Sequence, residues 1–393
     1  MVEHDVFVVI PAAGSGERLG GSVPKQYCKI LGKPLLLYAV EQFLSFSWVK
    51  KLALVVDNIE KAHTIIQEAG LDSCKRLLLV KGGPSRHRSI HAGLLELKEY
   101  SSDEDRVVIV HDGVRPFVPE RLVVELCDAA LIHGAAGAIR PLVSTVLTST
   151  ADLFLDTSLD RSKHVASETP QAFRMHTLLD AYRKCTDEEL DCGTECLQLV
   201  LKHAGTRAKL INGPEELWKV THKKDLFTAN CCLREKSNGV CIISEHQTPL
   251  VRMLEESLID KVSCIRRVDS VSEPPPPPSN DHKQRTFNTV IIFHMHEIQQ
   301  DEHLLDFASL LDVDKDGLIV HIIDNARIDG MQSMSVYNLH RNGRKMAHHH
   351  EKLHKGVVVI HCVTSNEEKR LIELVSTLVQ ADPTTFTGQT FFL

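Results

Sequence analysis

The sequence predicts an α/β protein: a doubly wound, mostly parallel sheet carrying a β-arm, followed by a second, smaller α/β domain. Three observations predict it. Short continuous apolar runs alternate with stretches of helical spacing, as parallel strands covered by helices on both faces require. The alternation breaks between Arg140 and Phe173, where Thr, Ser and Asp alternate with single apolar residues. It returns in the last third of the chain, around a run of five prolines.

Val6–Ile10 is apolar throughout, as in a strand buried on both faces, and Pro11–Gly21 is a Gly-rich loop. Pro34 stands where a helix can begin, and Leu35, Leu36, Ala39, Val40, Phe43 and Leu44 follow at helical spacing. Leu52–Val56 reads as a strand, Ile59–Ala69 as a helix, Leu77–Val80 as a strand and Ser89–Leu97 as a helix. Val107–Val110 is a strand running into His111-Asp112-Gly113, and Pro119–His133 is a helix. The irregular stretch 140–173 fits a β-hairpin arm better than another βα unit. Helices resume at His176–Lys184 and Glu195–Ala204, and a last strand leads to Leu217-Trp218-Lys219-Val220-Thr221. The first domain is therefore placed at 1–232 and the second at 233–393. In the second, Val240–Ile243, Thr289–Phe293, Leu318–Ile323 and Val357–Ile360 read as strands, and Leu250–Ile259 and Glu367–Val379 as helices. The loop 273–282 holds Pro274–Pro278, a stiff polyproline segment that serves as a spacer.

At 393 residues the chain is long enough for two or three domains of ~150 residues, and for a core that needs no disulfide or metal staple. It carries 45 Lys+Arg against 52 Asp+Glu, a formal charge of −7, which argues against a nucleic-acid coat. Taken over the whole chain, that charge also disfavours a polyanionic substrate. No apolar run is long enough to span a bilayer, so no membrane partner is expected. The acidic start, without a secretory signal, reads as cytosolic. The 11 cysteines are scattered, are read as reduced, and lack zinc-ribbon spacing. His348–His350 reads as a solvated loop. Asp312-x-Asp314-x-Asp316-Gly317 begins like a calcium loop but has Ile323 where the closing Glu belongs, so an Asp-rich turn is expected.

Four loops carry the chemistry. Pro11-Ala12-Ala13-Gly14-Ser15-Gly16 follows the first strand and exposes backbone N–H groups that can hold phosphate oxygens. No Gly-Lys-Ser/Thr closes it, so it is not a P-loop. Arg18 and Lys25 are two cations flanking it, which suits a triphosphate. Gly82-Gly83-Pro84-Ser85-Arg86, with Ser89, can read a base edge, or else form a turn with a Ser cap. Asp112 and Arg115 stand at the carboxyl end of a strand, where doubly wound sheets bind ligands. A dinucleotide oxidoreductase is the competing class. Leu19 stands where its third Gly belongs, and Asp57 lies about 40 residues on rather than the roughly 20 of that fingerprint.

Pro-Ala-Ala-Gly-x-Gly-x-Arg, Pro-Lys-Gln, Gly-Gly, Val-His-Asp-x-x-Arg-Pro, Thr-Pro-Gln and Lys-Val-Thr occur in this order over about residues 5–230. The chain resembles the sugar-alcohol-phosphate cytidylyltransferases, of which the 2-C-methyl-D-erythritol 4-phosphate enzyme of isoprenoid synthesis is the best known. His133–Thr145, Gly193–Leu199 and the appended C-terminal domain make it most similar to the animal, ribitol-phosphate branch. The resemblance implies a Rossmann-like, GT-A-like nucleotidyltransferase that makes CDP-ribitol and pyrophosphate from CTP and D-ribitol 5-phosphate. Its product would serve protein O-mannosyl glycan (dystroglycan) synthesis; methylerythritol phosphate is the alternative acceptor. It assigns catalysis to Arg18, Lys25, Arg161 and Lys219. Nucleotide binding falls to Pro11–Gly16, Gly82, Gly83, Arg86, Ser89 and Asp112, and acceptor binding to Arg115, Thr145, Thr169 and Thr194. Mg²⁺ would ride mainly on the CTP phosphates, with Asp112 as the one candidate ligand. The arm would cross to a second copy and complete its site, implying a homodimer. Where the isoprenoid enzyme has Thr-Asp-Glu, this chain has Gly193-Thr194-Glu195, which changes size and charge at the acceptor alcohol. No catalysis is expected in the C-terminal domain.

Overall fold

The computed structural model describes residues 5–14, 23–100, 106–269, 287–294, 311, 317–324, 341, 344–345, 355–362, 367–383 and 385–393. The proline run and the Asp312–Asp316 turn lie outside them, as does His348–His350. The chain divides into two compact units, residues 1–230 and 231–393.

In the first unit the order is β1 (Val6–Ala12), β2 (Lys29–Ile30), β3 (Lys33–Pro34), α1 (Leu35–Ser45), β4 (Val49–Val56), α2 (Ile59–Glu68), β5 (Leu77–Lys81) and α3 (Arg86–Lys98). There follow β6 (Val107–Val110), α4 (Glu120–His133), β7 (Ala135–Pro141), β8 (Leu147–Ser149), β9 (Leu155–Ser158) and β10 (Val165–Arg174). The unit closes with α5 (Met175–Lys184), α6 (Asp187–Cys192), α7 (Cys196–Ala204), β11 (Lys209–Asn212) and the start of α8 (Lys223–Ser237). The seven-stranded sheet runs β11-β7-β10-β6-β1-β4-β5. β1 pairs parallel with β4 and β6, whereas β10 is antiparallel to both β6 and β7.

β1 shows why the sheet is covered on both sides. Val6, Val8 and Ile10 enter one core with α1, α2 and α4, while Phe7 and Val9 enter the other with α3, α5 and α7. Such fully buried side chains each contribute roughly 1.5–3 kcal/mol. Caps set the helix ends. Asn58 accepts from Lys61 N at 2.9 Å before α2, and α4 stops at Gly134, whose φ of 85° is left-handed.

The irregular stretch 140–173 divides into two parts. β8 and β9 form an exposed antiparallel hairpin, the expected arm. The end of the stretch is instead a central strand, β10, with residues 168–173 buried. The polar residues Glu168, Thr169 and Gln171 concealed this, because they line a pocket.

The second unit has a six-stranded sheet, β13-β12-β14-β15-β16-β17, every pair parallel. Its strands are β12 (Gly239–Ile243), β13 (Cys264–Val268), β14 (Thr289–His294), β15 (Gly317–Asp324), β16 (Lys355–Cys362) and β17 (Thr390–Phe392). α9 (Pro249–Leu258) and α10 (Glu368–Gln380) pack on one face through Val251, Leu254, Leu371 and Val375.

Candidate active site

The loops after β1, β5 and β6 meet above the sheet and enclose a pocket of about 660 Å³. That is within the usual range for a small-molecule site. Pro11, Ala12, Ala13 and Gly14 form one wall. Gln26, 2% exposed, donates its Nε2 to Ala12 O at 2.9 Å and to Gly14 O at 2.8 Å. One side-chain amide thus holds the start of the Gly loop in place. Lys25 lines the pocket, with its Nζ 3.3 Å from Val220 O. Ser15, Gly16 and Arg18 lie outside the described residues.

The opposite wall begins at the amino end of α3. Ser85 caps this helix, its Oγ accepting from Arg88 N at 3.2 Å and donating to Leu190 O. Ser89 Oγ donates to Ser85 O at 2.9 Å and lies 3.2 Å from Gly83 N. A Cβ on Gly83 would stand 2.6 Å from Arg88 Cβ, and one on Gly82 would stand 2.5 Å from Ala13 Cβ. Glycine is therefore required here by close approach. Gly83, Ser85, Arg86 and Ser89 line the pocket, whereas Gly82 packs on Ala13 and is not part of the lining.

Asp112 is the hub. Arg86 Nη2 lies 3.1 Å from its Oδ1, Lys219 Nζ 2.8 Å from Oδ2 and Arg115 Nε 3.3 Å from Oδ2. Burial alone would raise the pKa of Asp112. Arg86, Lys219 and Arg115 overcome that and hold it well below the usual carboxylate range. Burial also lowers His111, to about 4, so its neutral ring sits under the hub with Nε2 3.0 Å from Arg115 O. Strand register brings Thr169 to the hub. Gln171 on β10 faces Val110 on β6, and continuing that antiparallel pairing sets Thr169 opposite Asp112. Thr169 Oγ1 accepts from Asp112 N at 3.2 Å.

Several side chains here have other partners than the sequence reading supposed. Arg115 lines the pocket, but its guanidinium pairs with Asp112 and Glu168 and donates to Leu217 O. It organises the two carboxylates. Glu168 in turn holds Arg140 Nε at 2.9 Å. Thr194 lines the pocket with its backbone O accepting from Arg86 Nη1 at 3.0 Å. Beside it, Glu195 accepts from Gln171 Nε2 at 2.8 Å and from Ser167 Oγ at 2.6 Å. Gln171 is 2% exposed, and its Oε1 has no hydrogen-bond partner among the described residues. Thr145 and Arg161 are not brought to this pocket; both are exposed on the arm, and Arg161 Nη1 donates to Val143 O at 2.8 Å. Asp57 is also outside the lining, accepting from Tyr27 OH at 2.8 Å, which leaves the dinucleotide reading without its ribose acid.

Sequence reading passed over Gln26, Ser167, Glu168 and Gln171 as functional positions, and held Glu195 only within Gly193-Thr194-Glu195. The motifs Pro-Lys-Gln and Thr-Pro-Gln contained two of them. Nothing in the spacing of the others separates a pocket residue from a surface one.

A divalent cation can be tested against this lining. Asp112 is paired with three cations, Glu168 with two arginines, and both oxygens of Glu195 are hydrogen-bonded. The described carboxylates therefore form no ready cage, and the residues fit Mg²⁺ only as an ion carried on a bound phosphate chain.

Comparison with known proteins gives the chain a family. The model of the 2-C-methyl-D-erythritol 4-phosphate cytidylyltransferase family matches residues 6–235. The mouse protein named D-ribitol-5-phosphate cytidylyltransferase is 44% identical over 277 residues, covering 68% of this chain and 61% of its own. The Xenopus tropicalis protein of the same name is 48% identical over 245 residues, covering 60% and 59%. The chain thus spans about three fifths of the length of the curated relatives it matches. The crystal structure of 2-C-methyl-D-erythritol 4-phosphate cytidylyltransferase from Francisella tularensis is 24% identical, with a TM-score of 0.49 over 57% of this chain and 98% of that one. With the buried Asp112 hub and its cations in place, and a family match over more than half its length, this chain belongs to the 2-C-methyl-D-erythritol 4-phosphate cytidylyltransferase family.

Proposed function

We propose that the chain transfers the cytidylyl group of CTP to D-ribitol 5-phosphate, making CDP-ribitol, a donor suited to protein glycosylation, and pyrophosphate. The observation that carries this reading is the Asp112 hub, which arrays Arg86, Arg115 and Lys219 against a Gly-rich loop flanked by Lys25. The names of the animal relatives supply the acceptor.

An oxygen of the acceptor phosphate attacks the α-phosphorus in line. The new P–O bond forms as the bond to the β-phosphate breaks, and pyrophosphate leaves. The attacking oxygen is already ionised, so no side chain needs to remove a proton. The barrier is the approach of two anions, and fixed cations lower it. Lys25 and Lys219 stand on the lining for this task, and the family motif gives Lys219 the acceptor phosphate. Arg18 joins them on the strength of the family motif. Mg²⁺ on the phosphates would supply further neutralisation. The loop Gly83–Ser89 faces the base, and Thr194 on the lining takes the acceptor alcohol. Thr194, on the lining, stands where the isoprenoid enzyme has an Asp, and this loss of a carboxylate favours the pentitol over methylerythritol phosphate.

Arg161 and Thr145 reach a second copy through the arm, which makes the active species a homodimer. The arm carries Val143 at 88%, Leu153 at 85% and Phe154 at 72% exposure, an apolar surface that a partner would cover. A cytosolic setting accords with 11 cysteines that form no disulfide.

Pyrophosphate release from CTP tests the reading. D-ribitol 5-phosphate is expected to give the larger kcat/KM and 2-C-methyl-D-erythritol 4-phosphate the smaller. The reverse order would move the chain to the isoprenoid reaction, and no release with either would remove the assignment.

A further inference from the structure

Behind the pocket wall, a thiol, a carboxylate and an imidazole converge on three helices. The Sγ of Cys185, an oxygen of Glu189 and a ring nitrogen of His203 all lie within 4.8 Å of one another. We infer that Cys185, Glu189 and His203 form a binding site for a thiophilic divalent cation of the Zn²⁺ class. This inference stands apart from the proposed reaction.

Zn²⁺ takes sulfur at about 2.3 Å and nitrogen or oxygen at about 2.0–2.2 Å in a tetrahedral shell. Its ligand atoms then sit roughly 3–4 Å apart, close to the spread found here. His203 Nε2 is already 3.0 Å from each oxygen of Glu189, and the thiol donates weakly to Ala181 O at 3.2 Å. Water would complete the shell.

Cys185 is the C-cap of α5 and His203 is in the last turn of α7, so two negative helix ends face the N-terminal turn of α6 that carries Glu189. Lys202, Thr186 and His203 all bond the Glu189 carboxylate. Lys202 Nζ lies 2.5 Å from Oε1, the place where a metal would add positive charge. Oε2 would keep its bond from Thr186 N, 2.9 Å away in the capping box of α6. The groups facing Cys185 are Glu189, Cys196 and Lys202, and burial pushes the thiol pKa up ahead of their effects. A bound metal displaces that thiol proton to solvent and forms the metal–sulfur bond.

The site would steady the pocket. Glu189 O accepts from Gly193 N at 3.0 Å, and Leu190 O accepts from the Ser85 cap. Asp187 and Asp191 pair with Arg88, at 2.8 and 2.5 Å. Clamping Glu189 to α5 and α7 would therefore fix α6 against the loop that presents Arg86.

Co²⁺ titration of the metal-stripped full chain tests the inference. The expected result is a thiolate-to-cobalt charge-transfer band, saturating at one equivalent and bleached by Zn²⁺. The band should vanish in Cys185→Ser and persist in Cys192→Ser and Cys231→Ser, which alter exposed thiols. In His203→Gln, an independent variant that decides the matter if Cys185→Ser does not fold, the affinity should fall about tenfold or more. No band in the folded wild-type chain overturns the site. So does a band that survives both Cys185→Ser and His203→Gln.

Discussion

The two units have nearly the same construction and differ in what their described residues bring together. Each is a sheet of apolar, largely parallel strands faced by amphipathic helices. In the first, the carboxyl ends of β1, β5 and β6 gather Lys25, Arg86, Asp112, Arg115 and Lys219 around one pocket. In the second, two histidines of neighbouring strands meet, His294 Nε2 lying 2.9 Å from His321 Nδ1. The difference teaches that this architecture provides a crevice, while the loop residues decide whether it holds an anion. It also explains a misleading charge count. Residues 1–232 hold 28 Lys+Arg and 30 Asp+Glu, and the rest hold 17 and 22, so most of the −7 belongs to the second unit. A substrate meets the local field rather than the total.

The comparison can be broken most directly at Lys25. Lys25→Ala should lower kcat by about 10²-fold or more, as loss of a transition-state charge contact does. Near-normal turnover in a steady-state assay would mean that the first unit's cations are structural too.

Asp112→Asn tests the hub itself. It leaves Arg86, Arg115 and Lys219 facing a neutral amide, and should cost about 3 kcal/mol in urea unfolding. Because the folded-state pKa of Asp112 is lowered, its stabilisation is present above the unfolded value of about 3.9. It is lost as pH falls below that toward the folded value. The gap between wild type and Asn variant should thus be constant near neutrality and narrow in acid; a gap that widened in acid would contradict the hub.

Arg161→Ala should raise the acceptor KM several-fold and leave that of CTP nearly unchanged. An effect confined to CTP would take the arm out of the acceptor site. Sedimentation of the wild-type chain should show a dimer, and a fully active monomer would remove the arm's proposed role.

The smallest effect is expected from ending the chain at Ser237, the last residue of α8. The first unit's two apolar clusters draw only on its own residues, so the shortened chain should fold and turn over within a few-fold of the full one. Lost chemistry in a folded piece would give the second unit a part in the reaction.

Local patterns determined much of this molecule from sequence alone. A run such as Val6–Ile10 has no polar face to show solvent, so it must lie inside a covered sheet, and β1 does. The Ser85 cap and the Gly82-Gly83 turn were also legible, because they depend on neighbours a few residues away. What tertiary structure alone decided were the pairings between distant residues. β10 entered the central sheet antiparallel, although Glu168-Thr169-Pro170-Gln171 reads as part of the arm. Arg115 turned inward to Glu168, 53 residues away. Cys185, Glu189 and His203 met across three helices with no spacing to announce them. The physical reason is common to all three. Propensity and periodicity act over a turn or a strand, whereas charge pairing and ligand geometry act through space, and only the packed chain sets those distances.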